Sequence, residues 1–187
     1  KARIGKAAVE LSADRAQIFI TIPIDEGERF KTGPVDIVGD FLPSAPKEKL
    51  LEKVLLKEDD WFSSARLRQS INAVGEIYKD KGYAYVNLIP NTRVDESKKI
   101  VSLTIDVEKG AKIRIGRIRV VGNQKTRDKV IRREMRIYEG EYFSSSGLKR
   151  SERLINRLGF FERGGVSIRT TRGVAKDTMD VVVQVKE

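Results

Sequence analysis

An internal repeat limits the folding of this chain more than any other feature. FKTGPVDIVGD (Phe30–Asp40) aligns with IRIGRIRVVGN (Ile113–Asn123), so that Gly33 meets Gly116, Val35 meets Ile118, Val38 meets Val121 and Gly39 meets Gly122. WFSSARLRQS (Trp61–Ser70) aligns with YFSSSGLKRS (Tyr142–Ser151), and KGYAYV (Lys81–Val86) answers LGFF (Leu158–Phe161). SLTIDVEKG (Ser102–Gly110) is matched by DVVVQVKE (Asp180–Glu187) and also by FITIPIDEG (Phe19–Gly27). Blocks that recur in one order mark a repeated structural unit rather than a bias of composition.

Each block has a local physical reading. Val101, Leu103, Ile105 and Val107 alternate with polar residues, the period of two expected of a strand with one buried face. Ile18, Ile20, Ile22 and Ile24 alternate likewise, as do Val181, Val183 and Val185. A strand precedes each of these, at Val9–Leu11, Tyr83–Thr92 and Val166–Thr170. The polar links Ser12–Arg15, Val94–Lys99 and Arg172–Asp177 make each pair an antiparallel hairpin.

Leu67, Ile71, Val74 and Tyr78 form one stripe of a helix, capped by Ser63 or Ser64 and closed by Gly82 as a left-handed residue. Leu148, Ile155 and Leu158 repeat the stripe, with Gly159 closing it. Shorter helices precede them. Pro46–Leu55 is expected to bury Leu50, Leu51, Val54 and Leu55 with its proline in the first turn. Thr126–Met135, capped by Thr126, is expected to bury Val130, Ile131 and Met135.

The expected fold class is therefore α+β: tandem β-α-α-β-β modules, each with two helices on one face of a three-stranded mixed sheet. Residues 1–29 read as the closing hairpin of a partial module, 30–111 as a complete module and 112–187 as a second complete one. The chain opens inside a structural unit, with no signal pattern and no apolar run of transmembrane length.

Composition narrows the function classes. There is no cysteine and no histidine, which removes thiolate nucleophiles, Cys/His zinc sites and the usual neutral-pH base. No Asp or Glu pair is marked for acid–base work, so the expected class is a non-catalytic binding scaffold without cofactor or metal. The net charge of +10 is spread along the chain and suits nucleic acid, anionic lipid head groups or acidic proteins; it equally describes a solvated basic surface.

KGYAYVNL (Lys81–Leu88) approaches the RNA-recognition pattern in which strand aromatics stack bases. Leu88 stands where the final aromatic belongs, and the other copy keeps Gly159, Phe160 and Phe161 but continues Glu-Arg-Gly-Gly. What the copies share is a helix end followed by a strand start. A basic RNA-binding array using Tyr83 and Tyr85 is the alternative reading. No GXXG loop of the KH type occurs, and Val38-Gly39-Asp40 and Val121-Gly122-Asn123 read as turns rather than phosphate loops. Arg132, Arg133, Glu134 and Arg136, followed by Glu139-Gly140, form a charged cluster that reads equally as a solvated face or a docking surface. Exposed sheet edges would be templates for strand addition. The candidates are Tyr85–Thr92, with Pro90 limiting the pairing, and Ser167–Thr170; Tyr85, Val86, Asn87, Leu88, Ile89, Ser167, Ile168 and Arg169 are the residues expected to carry it.

VVGNQKTRDKVIRREMRIYEGEYFSSSGLKRSERLINRLGFFE (Val120–Glu162), ending in VVVQVKE, resembles the last POTRA domain of the bacterial outer-membrane protein assembly factors. Phe30–Ala111 is similar to the preceding POTRA domain, and 1–29 to the closing hairpin of the one before. The resemblance implies a periplasmic location within an outer-membrane protein and a β-barrel following Glu187. It also implies a scaffold that receives unfolded outer-membrane β-barrel proteins and accessory lipoproteins; the basic surface would favour a nearby anionic membrane surface, and no nucleic acid is expected. Carried onto the RREM…EG segment, it points to Arg132, Arg133 and Glu139 as lipoprotein contacts. Gly164-Gly165 departs from the family pattern and predicts a bulge that would disfavour strand addition at that edge. Two-partner secretion transporters and organellar import pores also carry POTRA domains, and fold alone does not separate these roles.

Overall fold

A computed structural model describes residues 3–12, 17–25 and 27–187. The amino-terminal segment contributes β1 (Arg3–Ile4), β2 (Ala8–Leu11), β3 (Ile18–Thr21) and β4 (Ile24–Asp25). β2 pairs antiparallel with β3 and β1 with β4. The Ser12–Arg15 link lies mostly outside the described residues. Val9, Leu11, Ile18 and Ile20 are all solvent-exposed, so this hairpin has no helix layer among the described residues.

The second module runs β5 (Lys31–Gly39), α1 (Lys47–Leu51), α2 (Ser64–Lys79), β6 (Asn87–Asp95) and β7 (Ile100–Glu108). The third runs β8 (Arg114–Val121), α3 (Asp128–Arg132), α4 (Ser145–Arg157), β9 (Val166–Arg172) and β10 (Thr178–Val185). Each sheet is mixed, in the orders β5-β7-β6 and β8-β10-β9. The outer strands β5 and β8 lie parallel to their central strands, β6 and β9 antiparallel. A parallel pair needs a long crossover, and the two helices supply it. Alternate residues of β7 (Val101, Leu103, Ile105, Val107) and β10 (Met179, Val181, Val183, Val185) are buried, as the period of two requires. They pack with Leu50, Val74 and Tyr78 in one module and with Ile131, Met135 and Ile155 in the other. Fully burying one such side chain contributes about 1.5–3 kcal/mol, so the apolar stripes hold the layers together.

The repeated serines and glycines also have physical reasons. Ser63 and Ser144 cap α2 and α4, accepting from the Arg66 and Gly147 N–H groups. Ser70 Oγ donates to the Arg66 carbonyl and accepts from Leu55 N–H at 2.8 Å; Ser151 Oγ donates to the Gly147 carbonyl and accepts from Arg136 N–H at 2.7 Å. Each buried serine thus pins the chain leaving the short helix to the long one. Gly39 closes β5 and Gly122 directly follows β8, at φ of +99° and +88°, with backbone carbonyls of the central strands where a Cβ would stand.

Some boundaries differ from expectation. α1 ends at Leu51, Pro46 is its N-cap, and Leu56 rather than Leu55 is buried. α3 ends at Arg132, and its N-cap is Arg127 without a side-chain bond. Thr126 and Lys125 instead donate their N–H groups to the Glu187 carboxylate at 2.7 Å, and Val130 is only half-buried. α2 ends at Lys79, so Gly82 lies beyond the cap residue Asp80. The strand expected from Tyr83 begins at Asn87, because Lys81–Val86 is spent on turns bonded back to Tyr78 and to one another. Gly164-Gly165 makes no bulge: Gly164 takes φ +72° in the turn before β9, and the β9–β10 register is continuous from Val166 to Arg172.

That turn region of the second module also builds the joint to the third. The Gly82 carbonyl accepts from Ile113 N–H at 2.8 Å, and Ala84 packs against the third module's core. Asp80 Oδ1 accepts from Ser146 N–H at 2.7 Å and from Ser144 Oγ at 3.1 Å, a carboxylate from one helix end serving the first turn of the next. Glu76, one turn earlier, accepts from Ser145 Oγ at 2.9 Å and pairs with Lys149 at 2.5 Å. Lys112 lies 4.8 Å from the Tyr142 ring centroid and 5.7 Å from that of Tyr83.

Candidate functional site: sheet edges and a basic strand edge

Among the described residues each three-stranded sheet has two edges, and hydrogen-bond parity says which backbone groups face outward. The Asp40 N–H donates to the Val107 carbonyl, so even-numbered residues at this end of β5 bond to β7 and odd-numbered ones face out. One of these outward groups, the Ile37 N–H, is taken at 2.8 Å by the Asp36 carboxylate. Lys47 holds that carboxylate at 2.6 Å, and its hydrogen bond lowers the Asp36 pKa from its ordinary value. On β8 the outward residue is Ile118. Its N–H donates to Glu139 Oε1 at 2.7 Å, and its carbonyl accepts from Arg132 at 2.8 Å. Side chains therefore occupy groups on both the β5 and β8 edges, one of the ways proteins blunt an edge.

The β6 and β9 edges are different. Odd-numbered β7 residues bond to β5, so even-numbered ones bond to β6; their partners Asn87, Ile89, Asn91 and Arg93 turn their backbones inward. Leu88, Pro90, Thr92 and Val94 face out, and Pro90 leaves a gap in the row of donors. On β9 the Lys186 N–H donates to the Gly165 carbonyl and the Gly173 N–H to the Thr178 carbonyl. Ser167, Arg169 and Thr171 therefore bond to β10, while Ile168, Thr170 and Arg172 face out with every donor present.

Of the residues expected to carry strand addition, only Leu88 and Ile168 present outward backbone groups. Asn87, Ile89, Ser167 and Arg169 are in the right strands with their backbones turned inward, whereas Tyr85 and Val86 precede β6. Thr92, Val94, Thr170 and Arg172 complete the outward rows. Alternation of side chains identifies the buried face but not which N–H groups point to a neighbour; the sheet order sets that parity.

The docking candidates separate in the same way. Arg132 spans Asp128, at 2.6 Å, and the Ile118 carbonyl, and its guanidinium comes within 4.0 Å of Glu139. Arg132 and Glu139 thus shape the β8 edge, while Arg133 is largely exposed beside Glu134. Arg117 and Arg119 line the cleft next to Glu139, extending the cluster on to the strand. KGYAYV does not present a stacking platform: Tyr83 packs edge-on against Tyr78 with ring centroids 6.5 Å apart, and the exposed Tyr85 stands in the loop before β6. No helix among the described residues is long and apolar enough to cross a membrane.

With this geometry in hand, the likeness to known proteins is informative. The POTRA family model, described as a surface antigen variable number repeat, matches residues 30–110 and 113–187. The outer membrane protein assembly factor BamA of Nitratidesulfovibrio vulgaris is 30% identical over 97% of this chain and 23% of its own length. BamA of Neisseria meningitidis serogroup B is 32% identical over 86% of this chain and 20% of its own length. The chain thus spans less than a quarter of either relative. The crystal structure of Haemophilus influenzae BamA POTRA3-5 superposes with a TM-score of 0.86 at 26% identity, covering 100% of this chain and 73% of that one. The chain belongs to the POTRA family, and its modules are POTRA domains of the kind found in BamA.

Proposed function

We propose that this chain is a non-catalytic periplasmic scaffold within an outer-membrane protein, holding unfolded outer-membrane β-barrel proteins during their assembly and insertion. Client strands add to the outward row of β9 at Ile168, Thr170 and Arg172, and more weakly to β6 at Leu88, Thr92 and Val94. The observation that carries this reading is the difference between edges: β5 and β8 have outward groups taken by side chains, whereas β9 keeps its donors. Main-chain pairing tolerates many sequences, which suits a scaffold serving many clients. Accessory lipoproteins dock at the charged cluster, with Arg133 making the direct contact and Arg132 and Glu139 setting the shape of the strand edge beneath it. The basic surface favours acidic partners and the anionic head groups of a nearby membrane.

The test is a titration of the isotope-labelled chain with extended peptides taken from outer-membrane barrel strands. Amide shifts and slowed exchange are expected at Ile168, Thr170 and Arg172, with smaller effects at Leu88, Thr92 and Val94. Amides on both strands that ignore the peptides at millimolar concentration sink the strand-addition reading. Tight RNA binding at low salt would revive the alternative.

A further inference from the structure

We propose that Arg169 makes strand addition at β9 charge-selective, so that this edge takes extended segments carrying an acidic residue on the face away from the helices. This selectivity rests on strand addition at β9 and names the clients that the edge favours. Arg169 bonds its backbone inward to β10, so an antiparallel strand added outside meets it in a non-hydrogen-bonded pair. The two Cα atoms of such a pair stand about 4.5 Å apart, the closer of the two antiparallel spacings, and the side chains meet directly. Arg169 thus offers an incoming strand no main-chain hydrogen bond but a close side-chain contact.

The face on which this contact falls is basic. Val182 pairs with Arg119 on one side and with Arg169 on the other, which sets both arginines in one row across the sheet. That row lies on the helix-free face, since Val181 and Val183 on either side of Val182 are buried under the helices. Both arginines are exposed, and among the described residues neither has an ion pair or a side-chain hydrogen bond. The carboxylate of the adjoining row, Asp180, accepts from the Arg117 N–H at 2.8 Å. In the second module the same row reads Asp36, Thr104 and Asn91, with Asp36 held by Lys47 at 2.6 Å. At one and the same place the β9 edge presents an unpaired cation and the β6 edge a neutral amide.

Distances assign the selection to Arg169 rather than to the basic face at large. Strands lie about 4.8 Å apart, so an added strand is one spacing from β9 but three spacings, roughly 14 Å, from β8. Arg119 is therefore screened at physiological salt, where the Debye length is about 8 Å. Opposite charges directly across a strand pair attract and like charges repel. A carboxylate facing Arg169 should gain about 1.4- to 5-fold in affinity, and a cation there should lose by a similar factor.

Three extended peptides test this, alternating apolar and polar residues and differing only in Glu, Gln or Lys at one central polar position. Their apolar residues fall beside Ile168, which packs against the core, and the variable residue falls on the open face. Each is titrated into the isotope-labelled chain and its affinity read at the Ile168, Thr170 and Arg172 amides. Affinity should fall in the order Glu, Gln, Lys, with roughly 2- to 30-fold between the ends. A fourth peptide moves the Glu by one residue, which turns it to the helix side at unchanged net charge, and it should lose its advantage over Gln. Arg169→Glu, at an exposed position without partners, should reverse the order. Equal affinities for the first three peptides overturn the proposal and leave strand addition standing. The same holds for an advantage kept by the displaced Glu, or for a Glu preference that survives Arg169→Glu. Peptides that leave all the β9 amides unmoved overturn strand addition at this edge and the selectivity with it.

Discussion

The second and third modules share a core plan and part company at their margins. Both bury a central strand of alternating apolar residues under two helices, and both pin the short helix to the long one with a buried serine. α2 runs to Lys79, long enough to include Tyr78, whose hydroxyl donates to the Asp40 carbonyl at 2.9 Å. α4 stops at Arg157, and the third module's core instead takes Ala84 from its neighbour. The β6 edge is broken by Pro90, while β9 keeps a full row of donors. The central strands and the serine pins are thus held to one solution in both copies. Edges and joints, where the energetic demand is weaker, are free to specialise.

The largest effect is expected from a cut into one core. Ile155 is fully buried, and Ile155→Ala should cost about 2–5 kcal/mol from lost burial plus the cavity left behind. Amide exchange should accelerate through β8 and β10 while β7 stays protected, because the apolar clusters of the two modules are distinct. Equal acceleration in both sheets would mean that the joint makes them one cooperative unit. Next come the serine pins. Ser70→Ala and Ser151→Ala each leave a backbone N–H without its acceptor, at about 1–3 kcal/mol apiece. Denaturant melts of the two variants should show similar losses. A clear inequality would break the equivalence of the pins.

Much of this was legible in the sequence because burial has a period. Alternation in Val101–Val107 and the stripe through Val74 and Tyr78 give the sheet and long helix directly, since one face of each must be removed from water. The short helices end earlier than their apolar pattern suggests, because Val54 and Met135 are buried from turns closed by i→i+3 bonds rather than by α-helical ones. Thr126 carries a good capping side chain, but its N–H is claimed by Glu187, 61 residues away, a contact no local pattern encodes. The same holds for Glu139 and Arg132. Their charge marked them as surface residues, while their bonds to Ile118 depend on the strand that happens to lie beside them.

The edge difference can be tested by exchanging its cause. Thr170→Pro removes an outward N–H from β9, and Pro90→Thr supplies one to β6, neither donor being part of the sheet itself. One hydrogen bond is worth about 0.5–1.5 kcal/mol, so peptide affinity should fall roughly 2- to 12-fold at β9 and rise correspondingly at β6. Titration of the two variants with one barrel-strand peptide checks this. Affinities that ignore both changes would remove parity as the basis of the comparison.

The smallest difference concerns the corner after the first strand of each module. In the second module Asp40, at the end of β5, accepts from Lys109 N–H at 3.2 Å; in the third, Glu187 reaches back from beyond β10 to the N–H groups of Lys125 and Thr126. Hydrogen bonds from Thr126, first its side chain and then backbone groups of this turn, lower the Glu187 pKa below its ordinary 4.5. A carboxyl with a depressed folded-state pKa contributes stability that is present above its unfolded value and is lost as the pH falls through the folded one. Acidification below about 4.5 should therefore loosen the corner at the start of α3, with the Lys125 and Thr126 amide resonances moving together. Because Glu187 is only half-buried and its contacts stay within one corner, the effect is local and should leave the melting of the module nearly unchanged. Glu187→Gln should keep one acceptor oxygen and abolish the titration of both amides. Amides that still titrate in that variant would assign the response to a different carboxylate and take this corner out of the comparison.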